Sequence, residues 1–259
     1  MITNQTIDKL NRMKLYGMLE VIREQINKPG VFSELSFEER LGLIIDAEWM
    51  RRENNRMKRR LLEAKLRQEA VLEDIDFHAS RNLSRGQIMQ LASCQWIREK
   101  RNIILEGATG TGKTFIACAL GNKAVRENFS VRYFRLPRLF EELRVARIEG
   151  SYSKVLGKIA KTDVIILDDW GLVPMSSESR RDLLEILEDR FDLRSTIIAT
   201  QLPEAQWYTY IGESTIADSI LDRVIHNAYR IKLKGESIRK VRHSVDGNIK
   251  EICEEEKRK

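Results

Sequence analysis

The octapeptide Gly107-Ala108-Thr109-Gly110-Thr111-Gly112-Lys113-Thr114 constrains this chain more than any other feature. It matches the phosphate-loop pattern GxxxxGK[ST] at every fixed position. The flanks agree. The apolar run Asn102-Ile-Ile-Leu-Glu106 leads in as a strand, and Phe115–Glu127 leads out as a helix. Glycines at these positions let backbone N–H groups turn inward around phosphate oxygens. The helix N-terminus adds its partial positive charge. Gly107 to Thr114, with Phe115, are therefore the expected nucleotide cradle. Lys113 should reach the β and γ phosphates of ATP, and the Thr114 hydroxyl should bind Mg²⁺.

A second motif completes the pattern. Val164-Ile-Ile-Leu-Asp168-Asp169 reads as a buried strand that ends in two carboxylates. Adjacent carboxylates at a buried strand end call for a bound cation. Asp168 is the expected Mg²⁺ ligand, directly or through water, and Asp169 is placed to polarise the attacking water. The competing reading is a pair of turn-forming aspartates before Trp170-Gly171. Strand Ser195–Thr200 ends at Gln201, whose amide could position that water or merely cap a loop.

From residue 102 onward, candidate strands at 102–106, 130–135, 163–168, 195–200 and 229–233 alternate with candidate helices at 113–127, 137–149, 178–192 and 216–226. That alternation predicts an α/β domain with a parallel sheet flanked by helices. The first hundred residues read as helical. Leu15, Met18, Leu19, Ile22 and Ile26 recur at helical spacing until Pro29-Gly30. Ser36 and Glu39 form a capping box for a second helix, whose pattern runs on through Leu66. A further helix is expected over 87–100. The predicted domains are a helical unit at 1–70, an ATPase domain at 71–250 and a charged tail at 251–259.

Eight cations crowd Arg51–Arg67, against only Glu53 and Glu63. Arg51, Arg52, Arg56, Lys58, Arg59 and Arg60 form either a solvated helix face or a surface for nucleic-acid phosphates. The composition permits a real core: 42% of the 259 residues are hydrophobic and 32% charged, with a net charge of +6. No apolar run approaches the ~18 residues of a membrane span. The opening MITNQTIDKL has no signal-peptide core, which points to the cytoplasm. Cys94, Cys118 and Cys253 lack metal-ligand spacing, and His78, His226 and His243 lack partners for zinc. Trp49, Trp96, Trp170 and Trp207 read as core packing, as do Tyr208 and Tyr210, the alternative for these two being an exposed aromatic patch beside Trp207.

These motifs resemble the AAA+ ATPases, and within them the DnaA/DnaC/IstB branch. The resemblance rests on Leu167-Asp168-Asp169-Trp170-Gly171, on Thr200-Gln201-Leu202-Pro203, and on Ile220-Leu-Asp-Arg223-Val-Ile-His followed by Leu233-Lys-Gly-Glu-Ser-Ile-Arg239-Lys. The last pair is most similar to the IstB-like helper ATPases of insertion sequences. The resemblance implies an AAA+ P-loop fold with a small N-terminal helical domain, and a homo-oligomer with ATP at subunit interfaces. It places Arg223 as the arginine that reaches a neighbour's γ-phosphate, the alternative being a surface salt bridge. It places Arg239 where a second phosphate-sensing arginine stands, but no full helical lid follows. Arg239 could instead touch DNA together with Lys232, Lys234, Lys240 and Arg242. Asp169 replaces the usual glutamate, and its shorter side chain suits a switch better than a motor. Ile75–Phe77 resembles an adenine-contacting stretch, or else pins two domains together.

The function so implied is ATP-dependent regulation of DNA transposition. The partners are double-stranded DNA and a cognate transposase, and contacts should be mostly to the DNA backbone because no base-reading motif is visible. A replicative helicase loader shares the ATPase core and is told apart by its helicase partner and its preference for single strands. The Lys234–Lys240 ending favours transposition. A small-molecule phosphotransferase would need an acceptor pocket with acid or base groups, and the sequence offers none.

Overall fold

The computed structural model describes residues 4–77 and 82–235. Arg239, Lys240, Arg242, His78, His243, Cys253 and the tail 251–259 lie outside them. The chain divides into two compact units, Met1–Arg60 and Leu61–Lys259.

The first unit holds α1 (Asn4–Arg12), α2 (Tyr16–Asn27), a 3₁₀ turn at Pro29–Val31 and most of α3 (Phe37–Ala64). The capping box forms as its spacing requires. Ser36 N–H donates to Glu39 Oε2 at 2.8 Å, and Glu39 N–H donates to Ser36 Oγ at 3.2 Å. Helices α2 and α3 touch backbone to backbone at Gly17, where a Cβ would lie 2.7 Å from the Ala47 carbonyl oxygen. The same contact carries a cap from outside the helix. Glu48 of α3, 5% exposed, accepts from Gly17 N–H at 2.8 Å, satisfying an unpaired donor in the first turn of α2. Arg52 Nε donates to the other carboxylate oxygen at 2.7 Å.

Helix α3 ends at Ala64 because Lys65 adopts a left-handed φ of 49°. Leu66 then lies against Gly121, and Ala70 is fully buried. Residues 61–70 therefore belong to the second unit, and the boundary falls at Arg60/Leu61 rather than at residue 70.

The second unit is built on β1 (Asn102–Gly107), β2 (Val131–Arg135), β3 (Val164–Trp170), β4 (Ser195–Thr200) and β5 (Ala228–Leu233). All pair in parallel, in the order β2-β3-β4-β1-β5. Ile103–Leu105, Val164–Leu167 and Ile197–Ala199 are buried, as strands covered on both faces must be. The expected helix over 87–100 is instead two, α4 (Arg85–Ala92) and α5 (Gln95–Arg98), split where Cys94 takes a φ of 55°. After β1 comes α6 (Lys113–Arg126), and after β2 comes α7 (Leu136–Ile148), with Pro137 in its first turn.

Helix α8 (Tyr152–Lys161) has no counterpart in the sequence reading. It begins after Gly150 at a φ of 72°, and its apolar residues Tyr152, Val155, Leu156 and Ile159 stand at helical spacing, a signal that was present but unread. Then follow α9 (Ser177–Glu188), α10 (Trp207–Ile211) and α11 (Ser214–Ile225). Arg190, 1% exposed, ties α8 to the sheet by donating to the carbonyls of Ile159 at 2.7 Å, Thr162 at 2.6 Å and Ser195 at 2.5 Å. Burial lowers its guanidinium to about 9, so it stays charged at neutral pH while filling these acceptors. Trp96, Trp170 and Trp207 are core residues, but Trp49 and Tyr208 are exposed, against expectation. Each lies on the solvent side of its helix.

Candidate nucleotide site

The phosphate loop follows β1 at the carboxyl end of the sheet. At Gly107 a Cβ would lie 2.6 Å from the Leu233 carbonyl oxygen of β5, so no side chain fits. Gly110 and Gly112 take φ values of 85° and 95°, the left-handed region that L side chains disfavour. Thr111 is buried, its hydroxyl donating to the Ala108 carbonyl at 2.9 Å. Lys113, 8% exposed, curls its ammonium back onto the carbonyls of Gly107 and Ala108, each at 2.8 Å. Phe115 follows the loop, and within it the Thr109 hydroxyl donates to Gln201 Oε1 at 2.6 Å.

Strand β3 delivers the two carboxylates. Its register with β4 slips between Leu167 and Trp170, so one extra residue is accommodated at Asp168-Asp169. Asp169 takes a φ of 62°, and the bulge turns adjacent side chains to separate partners. Asp168, 2% exposed, accepts at Oδ2 from the Thr114 hydroxyl at 2.8 Å and the Tyr133 hydroxyl at 2.6 Å. Arg67 Nη1 lies 3.6 Å from the same oxygen. Asp169 accepts from Arg135 Nε at 2.6 Å. Burial, with the bond to Asp168, drives the Tyr133 phenol well above its ordinary range, so it remains a donor. The hydrogen bond with Tyr133, then the charges of Asp168 and Asp169, raise the Arg67 guanidinium.

The structure thus brings Lys113, Thr114, Asp168, Asp169 and Gln201 together. It keeps Arg223 apart. The Arg223 carbonyl accepts from Asn102 Nδ2 at 3.1 Å, at the opposite end of β1 from the loop. At ~3.3 Å per strand residue that is about 17 Å away. Its guanidinium pairs with Glu188 at 2.6 Å and donates to the Ser219 carbonyl at 2.8 Å. Lys232 and Lys234 flank Leu233, the register partner of Gly107, and Lys232 lies 3.7 Å from Glu106. Along α3, Arg51 stacks over Tyr16, while Arg52 and Arg56 pair with Glu48 and Glu53. Lys58 and Arg59 are exposed, and Arg60 is half-buried.

The sequence reading missed Arg67, Tyr133 and Arg135 as site residues. Arg135 ends β2 and pairs in register with Asp168, a neighbourhood set by the strand order. Arg67 was hidden within the basic run. Cys118 on α6 is buried and its thiol pushed up by that burial, which fits a packing residue.

The donor set fits a magnesium nucleotide. Thr114 and Asp168 offer hard oxygen ligands, Lys113 places an ammonium inside the loop, and Gly110 and Gly112 hold the left-handed turns that aim loop N–H groups inward. The family model for IstB-like ATP binding proteins matches residues 8–246. The chain belongs to the IstB-like ATP-binding family. An insertion sequence ATP-binding protein of Sinorhizobium fredii is 47% identical over 93% of this chain and 98% of its own length. The IS21 ATP-binding protein of Pseudomonas aeruginosa is 32% identical, covering 89% of this chain and 86% of that one. Among solved structures, DnaI aligns at a TM-score of 0.55 and 25% identity, over 64% of this chain and 92% of its own. AMPPCP-bound DnaA from Aquifex aeolicus shares the fold at a TM-score of 0.55 and 17% identity, over 68% of this chain and 54% of that one. This IstB-like chain therefore has the AAA+ P-loop fold and is an ATP-binding protein. None of its described helices is long and apolar enough to cross a membrane.

Proposed function

We propose that this IstB-like protein is an ATPase that regulates DNA transposition. Bound ATP gates its assembly on duplex DNA, and the assembly presents that DNA to a partner transposase. The reading is carried by one juxtaposition: the phosphate loop, both aspartates and Gln201 at one end of the sheet and Arg223 at the other. Arg223, too remote to reach the phosphates held by its own chain, suits completion of a neighbouring subunit's site. The relatives named for insertion sequences supply the biological setting.

Lys113 and the loop N–H groups hold the phosphates. Thr114 and Asp168 hold Mg²⁺, which offsets phosphate charge when bound. Asp169 takes the proton of the attacking water, and Gln201, tethered to Thr109, orients that water. Arg223 of one subunit stabilises the phosphate charge in the next. Exposed cations on α3 meet DNA phosphates without reading sequence.

Sedimentation with negative-stain imaging on a long random duplex tests this, comparing ATP, ADP and Arg223→Ala. Large complexes that require both ATP and Arg223 are expected. Small particles indifferent to nucleotide would sink the proposal, and single-strand preference with helicase co-purification would replace it with a loader.

A further inference from the structure

Arg67 is the third residue after α3, in a segment anchored to the second unit by Leu66 against Gly121 and by buried Ala70. That anchoring fixes its approach to Asp168 Oδ2, the oxygen already receiving the Thr114 and Tyr133 hydroxyls. Asp168 is 2% exposed, and a carboxylate so deeply buried requires a positive partner. Arg67 supplies one from its own chain. Asp168 Oδ1 already accepts from the Asp169 N–H at 2.9 Å, so Mg²⁺ held by Thr114 and Asp168 would use that same Oδ2, and a guanidinium beside it would repel a divalent cation.

We propose that Arg67 is a positioning residue that competes with Mg²⁺ for Asp168 Oδ2 and so sets the magnesium concentration at which the nucleotide site closes. This rests on the reading of Asp168 as the metal ligand. Acting through Asp168 rather than on phosphate, Arg67 changes magnesium affinity and leaves metal-free nucleotide affinity alone. The design makes Mg²⁺-bound nucleotide, rather than nucleotide alone, the ligand that frees Arg67.

The test titrates Mg²⁺ into the full chain with a fluorescent ATP analogue, for the wild type, Arg67→Gln and Arg67→Lys. Gln removes the charge, and its amide, two bonds shorter, also withdraws from Asp168. Arg67→Gln should lower the half-saturating Mg²⁺ about tenfold, with analogue affinity in EDTA within about twofold of wild type. Arg67→Lys should restore the wild-type magnesium requirement. Without ligand Arg67→Gln should melt lower, and Mg²⁺ with nucleotide should raise its melting temperature more than it does for wild type. An unchanged or higher magnesium requirement in Arg67→Gln would overturn the proposal. So would a large loss of affinity in EDTA, which would make Arg67 a phosphate contact. If Arg67→Gln does not fold, Arg67→Met, which also removes the charge, takes its place: a lowered magnesium requirement supports the competition and an unchanged or higher one overturns it. Asp168→Asn separates the two layers, because magnesium-dependent binding that survives it removes the metal reading itself.

Discussion

Asp169 owes its aim to the bulge in β3, which lets two consecutive carboxylates take different partners, Thr114 with Tyr133 and Arg67 for one and Arg135 for the other. The roles should separate by substitution. Asp169→Asn keeps the shape and the approach of Arg135 but cannot accept a proton. It should bind ATP within about twofold of wild type while hydrolysis falls roughly 10²–10⁴-fold, the usual worth of a positioned base. Equilibrium binding and phosphate release, measured on the same preparation, check both halves. At this scale the local chemistry was legible wherever it is contiguous. Lys113, Thr114, Asp168 and Asp169 lie in two short motifs whose spacing is their geometry. Tyr133, Arg135 and Arg67 reach the carboxylates only because β2 neighbours β3 and because α3 stops at Lys65. Neither fact is written at those positions.

Helices α2 and α3 show how one ionisable group joins two elements. Burial works against the Glu48 charge, yet Arg52 and the backbone N–H groups of Gly17 and Met18 outweigh it and hold the carboxyl below its ordinary value of 4.5. A depressed folded value means stability that is present above 4.5 and is lost as pH falls through the folded value. Glu48→Gln should therefore cost about 2 kcal/mol near neutrality, the scale of a lost charged hydrogen bond. The gap from wild type should shrink below about pH 4. Thermal melts of both chains across pH 3–7 measure it, and a gap independent of pH would remove Glu48 from that role. The central strands were readable because a parallel sheet demands apolar runs, the edge strands β2 and β5 interleave charges, and all five appear at nearly the expected bounds. The helices were read less completely. Helix α8 carries helical spacing at Tyr152, Val155, Leu156 and Ile159 that went unread, whereas the break at Cys94 depends on a backbone angle no side-chain pattern announces.

Over the whole second unit, chemistry is split between the ends of the sheet. The strand order β2-β3-β4-β1-β5 places the loop, both aspartates and Gln201 at the carboxyl end, and Asn102 ties Arg223 to the other. Two inactive chains should therefore rescue one another. Lys113→Ala retains Arg223 but cannot hold phosphate, whereas Arg223→Ala retains a whole cradle but lends nothing. Mixed at equal concentration with DNA, they should recover a sizeable fraction of wild-type hydrolysis, and neither alone should. No recovery at any ratio would mean that Arg223 serves its own fold through Glu188. The remoteness of Arg223 also gives any such assembly a polarity. Joined head to tail, an open row of n subunits contains n − 1 completed sites, because the terminal cradle has no donor beyond it. Closing the row into a ring adds the missing one. The end of an open row would then be the slowest place to hydrolyse and the natural place to grow.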